Sequence, residues 1–213
     1  MKPELVGNLT KARETITELD CILSRNKFAD DLCTVLVTGL LTTLIQYHRS
    51  ILLLINSADI RSAAALARDV VDNMYVGLWI NTCASPDQIS KIKTEDRFPI
   101  TYPQIFKQVD SQYEENARFS DLKSRCAALY SYNRSGILRL GQWTLGSHVE
   151  LGDEQALTHE VSTVTICILF LASEFLAKQN QPAESKVVQA LADGYVGLSP
   201  SRFTNLSDDK QLE

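Results

Sequence analysis

The stretch from Ala58 to Cys83, ADIRSAAALARDVVDNMYVGLWINTC, most constrains what this chain can fold into. It holds no proline and a single glycine, Gly77, and is rich in residues that lose little freedom in a helix. At about 100° per residue, Arg61, Arg68, Asp72, Tyr75 and Trp79 fall within roughly 60° of one another. Ile60, Ala63, Ala67, Val70, Val71, Met74 and Leu78 cover most of the opposite side. The short side chains of Ala63, Ala64 and Ala67 leave room for a partner helix to approach closely. The other segments read as helices able to pack on this one, so the fold class expected is all-α, an antiparallel helical bundle of about six or seven helices.

Two readings of the polar stripe are open. In one, Arg61, Arg68 and Asp72 join Ser62, Asp69 and Asn73 on a broad solvated face, as in ordinary amphipathic helices. In the other, Arg68 and Asp72 lie partly buried beside Tyr75 and Trp79 and line a cleft, with arginine suited by its planar fork to an anion or carboxylate. The second reading requires a neighbouring segment to cover the stripe.

In chain order, residues 3–26 place Leu5, Leu9, Ala12, Ile16, Leu19 and Leu23 at spacings of four and three. This amphipathic stripe suits a bundle or a dimer seam. Residues 28–56 are apolar enough to predict burial on most sides, with Gly39 marking close approach of another helix and Tyr47-His48-Arg49 as the polar cluster. A short connection at Asn56-Ser57 favours an antiparallel hairpin with the Ala58–Cys83 helix. Ser85, Pro86 and Gln88 form a capping box that opens a short helix to about Glu95. Pro103 starts another helix through about Ala117 with Ile105, Phe106, Val109 and Tyr113 inward, a lid or a flank. Ser120-Asp121 restarts the helical pattern, and Tyr130–Gly136 concentrates weak helix formers, which predicts a kink or break near Gly136. That break is either a plain helix end or a display of Asn133, Arg134 and Ser135 towards the polar stripe. Asp153 reads as the N-cap of a buried helix over 154–179, with Leu157, Val161, Val164, Ile168, Leu171 and Phe175 inward. Pro182 opens the last helix, and Gly194 reads as its stop. The domain expectation is a single helical-bundle domain over residues 1–198 and a polar tail over 199–213.

The chain of 213 residues has a net charge of −5, which argues against nonspecific nucleic-acid binding through global charge. Its five cysteines are odd in number and form no CxxC pair, so free thiols acting as small hydrophobes in a reducing cytoplasm are expected. The start MKPELVGNLTKARE has no apolar core of a signal peptide. The apolar run Leu32–Ile45 is shorter than the roughly 20 residues of a bilayer span, which favours a buried helix over a membrane role.

Familiar chemistry is missing from the sequence. There is no P-loop, GxGxxG, HExxH or GxSxG motif, and His48, His148 and His159 have no metal-ligand spacing. No metal and no cofactor are expected. A metal-independent ribonuclease, working through Arg, His, Asn and Tyr, stays compatible with this.

Two blocks carry a resemblance. AAALARDVVDNMYVGLWINTCAS resembles the helix of a family of small bacterial all-helical proteins of undefined activity, through Arg68, Asp72, Gly77, Leu78, Trp79, Cys83 and Ala84. LYSYNRSGILRLGQW resembles the second block of that family, through Tyr132, Asn133, Arg134, Ser135 and Gly136, with Arg134 standing where the family tends to carry His. More distantly, the architecture is similar to the HEPN and abortive-infection bundles, which often dimerise and bring an Arg-x(4–6)-His motif from each subunit into an RNA-cleaving cleft. No arginine here is followed by histidine at that spacing. An arginine at 134 stays protonated and cannot act as a general base near neutral pH.

Three functional readings follow. The first is a bacterial accessory or defence-associated protein with a polar cleft for a small ligand or a nucleotide-bearing partner. The cleft would be formed by Arg61, Arg68, Asp72, Tyr75, Trp79, Tyr132, Asn133, Arg134 and Ser135. The second is a HEPN-like ribonuclease of toxin type, and the third a non-catalytic interaction module. A homodimer in the cytoplasm is expected, with RNA or a small molecule as ligand and neither membrane nor DNA as partner.

Overall fold

The computed structural model describes residues 3–95, 97–134 and 154–196, with the side chains of 130–134, 154–156 and 196 left outside the description. The protein is an all-α bundle. The described residues form eight α-helices and no strand: α1 (Pro3–Arg25), α2 (Leu32–Asn56), α3 (Ile60–Leu78), α4 (Pro86–Glu95), α5 (Tyr102–Gln112), α6 (Ala117–Arg134), α7 (Glu154–Lys178) and α8 (Pro182–Val196). A π-helical turn, Trp79–Cys83, continues α3. Eight described helices agree with the bundle of about six or seven expected. His148, Asp153, the expected break at Gly136 and the 199–213 tail all lie outside the described residues.

The hub of the bundle is α7 rather than α3. Every residue from Glu160 to Ser173 is buried, and α1, α2, α3, α6 and α8 all pack against it. A helix covered on all sides loses the amphipathic signature and reads as a continuous apolar run. Three of its polar side chains answer their own backbone: Ser162 donates to the Thr158 carbonyl, Thr165 to Val161 and Ser173 to Phe170. Among the described residues, Leu157–Lys178 is the one helix long and apolar enough to cross a membrane, and 89% of that window is buried inside the bundle. Protein neighbours account for its apolarity. The inward set expected for this helix, Leu157 through Phe175, is buried throughout.

Gly77 fixes how closely α3 approaches α7. A Cβ placed there would lie 2.6 Å from Leu171 Cδ2, so a larger residue would force the Leu171 side chain to shift. Gly39 on α2 has no such role, because a Cβ there would meet nothing within 4 Å. One face of α2 carries Val37, Leu41, Leu44, Ile51 and Ile55 inward, while Val35 and Leu53 are exposed. Burial of α2 is therefore one-sided, contrary to its composition. Ser57, Ala58 and Asp59 form the tight link to α3, with Ala58 at φ 59° and Asp59 capping the Ser62 N–H. The α2–α3 hairpin is as expected. The α1 stripe seats in the bundle against α7, α2 and α8. The capping box opening α4 is present, with Ser85 N–H donating to Gln88 Oε1 at 2.9 Å and Gln88 N–H to Ser85 Oγ at 3.3 Å. Gly194 does not stop α8, which runs on to Val196, and its carbonyl accepts from Lys11 Nζ.

The cluster Tyr47-His48-Arg49 separates into three environments. Tyr47 is half-buried, and Arg49 pairs with Asp20 of α1 at 2.7 Å. His48 is 1% exposed and meets Thr165 Oγ1 at 3.0 Å. The Thr165 hydroxyl proton goes to the Val161 carbonyl, so His48 Nε2–H is the donor and Nδ1 is a bare acceptor with no partner. Burial, aided by the nearby Arg49 charge, pushes the His48 pKa from 6.5 down to about 3.

The sign of this linkage is destabilising on acidification. The unfolded chain takes up a proton near pH 6.5 that the folded chain refuses until about pH 3, so stability is full above 6.5 and falls below it. Between pH 7 and pH 5, His48 alone removes about 2 kcal/mol. Urea unfolding at the two pH values is expected to show this loss in wild type and a correspondingly smaller loss in His48→Gln, which retains an N–H donor for Thr165. Equal pH dependence in both proteins would refute the assignment.

Candidate functional site

The sequence-predicted stripe on α3 divides in the structure. Arg61 and Arg68 are exposed, Asp72 is half-buried, and Tyr75 and Trp79 are buried. Tyr75 and Trp79 are covered by α5 and the segment before it. The Tyr75 ring lies 4.3 Å from Phe106 and 5.9 Å from Phe119, and Trp79 lies 6.5 Å from Phe98. Their polar ends are answered: the Tyr75 hydroxyl donates to Asp110 Oδ1 and the Trp79 indole N–H to Gln108 Oε1 at 2.7 Å. Lys123 of α6 closes on the other Asp110 oxygen at 2.7 Å. Burial and the Asp110 charge hold the Tyr75 phenol far above its ordinary value, so it stays a donor. The segment expected as a lid or flank is the cover of an aromatic seam. Tyr132, Asn133 and Arg134 lie in the last turn of α6 with side chains outside the description, and Ser135 lies outside the described residues.

The π turn is held by side chains from distant helices. Cys33 of α2 donates to the Ile80 carbonyl at 3.3 Å, and Lys178 at the end of α7 donates to the Asn81 carbonyl. A widened helix end leaves carbonyls without intrahelical donors, and these two groups supply them.

A concave site opens elsewhere, over the C-terminal half of α7. Its volume is about 510 Å³. Ile166 and Phe170 of α7 form the floor, each almost wholly buried. The first turns of α6 (Asn116, Ala117, Arg118 and Asp121) make one wall, and Gln189, Ala192 and Asp193 of α8 make the other. Both walls rest on α7, and Arg118 spans them by pairing with Asp193 at 3.0 Å. Asn116 caps α6 by accepting from the Phe119 N–H.

The three carboxylates lining this cleft differ in their partners. Asp193 pairs with Arg118, and Asp121 pairs with Arg125 at 2.8 Å. Glu174 is half-buried and receives the Tyr113 hydroxyl on Oε2 at 3.0 Å. No protein donor reaches its Oε1 among the described residues, and no cation pairs with it there. Burial and the Glu174 charge raise the Tyr113 phenol well beyond its usual range, which keeps the proton on the tyrosine. Tyr113 is held in turn by ring contacts with Phe119 at 5.1 Å and Phe170 at 5.6 Å.

None of Arg61, Arg68, Asp72, Tyr75 and Trp79 lines this cleft. The signal for it in the sequence was Ser173-Glu174, a carboxylate set within the apolar run of α7. No group of three or more His, Cys, Asp or Glu side chains able to hold a metal occurs among the described residues. No protein-family model, no curated protein and no solved structure matches the chain. The resemblance to the small bacterial helical family therefore rests on the two sequence blocks alone, and the more distant likeness to HEPN-type bundles on the helical architecture.

The Tyr113–Glu174 bond is charge-assisted, and such bonds contribute more than neutral ones. Tyr113→Phe is expected to cost about 1–2 kcal/mol in urea unfolding. A double-mutant cycle with Glu174→Ala is expected to give a coupling of about 1 kcal/mol, and strict additivity would show that the bond does not form.

Proposed function

We propose that this protein is a small-ligand-binding helical bundle whose binding site is the cleft between α6, α7 and α8. The observation that carries this reading is the cleft's construction. It combines a floor of Ile166 and Phe170 with a few placed polar groups, at a volume typical of small-molecule sites. It thus keeps the expectation of a ligand cleft but moves it from the α3 stripe to the far end of α7. The accessory or defence-associated setting in bacteria, the cytoplasmic location and the homodimer are proposals that rest on the sequence.

One observation favours a second reading, that of an interaction module. Val35 and Leu53 are 54% and 64% exposed on the outer face of α2, and Arg61 and Arg68 are exposed on α3. A solvated stripe with exposed apolar side chains elsewhere is what such a module presents. The ribonuclease reading remains carried by Arg68 and Arg134, and RNA cleavage abolished by Arg68→Ala would displace the cleft reading.

The direct test is a melting-temperature screen of small molecules with apolar bodies, on wild type and on Ala192→Trp, which fills the cleft from the α8 wall. A ligand of this site is expected to raise the wild-type melting temperature by about 3 °C at ten times its Kd. The same ligand should leave Ala192→Trp unmoved. Equal stabilisation of both proteins, or no ligand at all, would contradict the proposal.

A further inference from the structure

We infer that the ligand of this cleft is an organic monocation, a protonated amine on an apolar body, received by Glu174. This inference rests on the cleft reading above and gives that site its ligand chemistry. The decisive feature is the imbalance of charge. Asp121 and Asp193 already have arginine partners, whereas among the described residues Glu174 has only the neutral Tyr113 hydroxyl. A half-buried carboxylate without a cation keeps much of its electrostatic attraction, because fewer waters screen it. Tyr113 occupies Oε2, so Oε1 is the oxygen left to accept from an ammonium N–H.

The rest of the cleft fits the same class. Ile166 and Phe170 supply a surface for an aromatic or aliphatic body, and an aromatic face also attracts a cation. The feature that favours an anion is the N-terminus of α6. Asn116 already satisfies the Phe119 N–H there, and Arg118 is held by Asp193. An anionic ligand would have to break that pair and lie against Glu174. A strongly hydrated inorganic cation would gain nothing from the apolar floor, so an amine with an apolar body is the better match.

Phenethylamine and its neutral counterpart phenethyl alcohol separate the two claims. Binding of each is measured by calorimetry to wild type, Glu174→Gln and Ala192→Trp, with far-UV spectra verifying that the variants are folded. Glu174→Gln retains an acceptor for Tyr113 and removes the charge. The amine is expected to bind wild type roughly 10- to 100-fold more tightly than the alcohol and to lose that same factor in Glu174→Gln. Ala192→Trp is expected to abolish binding of both. If the alcohol binds as well as the amine and Ala192→Trp abolishes both, the cation inference is overturned while the cleft reading survives. If neither molecule binds wild type, or Ala192→Trp changes nothing, both fall.

Discussion

Covering α7 is the requirement on which the rest of the structure depends. Fourteen consecutive buried positions, Glu160 to Ser173, cannot be satisfied by one or two neighbours. They need a ring of helices, and α1, α2, α3, α6 and α8 supply it. Helix α3 reaches α7 through Gly77 against Leu171. With α3 at that distance, its C-terminal aromatics Tyr75 and Trp79 are placed where α5 must cover them, and the π turn is positioned for capping by Cys33 and Lys178.

Among the described residues, no helix covers the α7 surface at Ile166 and Phe170 between the start of α6 and the end of α8, where the Arg118–Asp193 pair joins the two walls. An exposed ion pair of this kind contributes little to stability, so the fold does not depend on closing the gap. The gap it spans is thus one that a ligand can enter at small expense to the fold. Beneath it, Glu174 is kept in place by Tyr113, whose ring is itself fixed by Phe119 and Phe170. Rigid support of this sort is what holds a receiving carboxylate in one geometry.

Much of the fold was legible in the sequence because helical periodicity and capping are local. The α1 stripe, the Ser85–Gln88 box, the short α2–α3 link and the inward face of α7 all follow from residues within a few positions of one another. The errors concern what composition cannot rank. The apolar α2 suggested burial on most sides, yet Val35 and Leu53 face outward, because five helices already compete for α7. Gly77, which meets Leu171, was indistinguishable from Gly39 until both helices were placed. The candidate site was less legible still. The α3 stripe mixes two exposed arginines with two buried aromatics, and only the position of α5 separates them. The cleft joins residues near 116–121, 166–174 and 189–193, a convergence that no local pattern announces. His48 shows the same limit, since its buried state depends on Thr165, far away in sequence.

Titration of phenethylamine into the labelled protein, followed by backbone amide chemical shifts, locates the bound ligand. The shifts are expected to concentrate at 116–121, 166–174 and 189–193. Shifts centred instead on Arg68 and Asp72, or on the outer face of α2 around Val35 and Leu53, would contradict that placement.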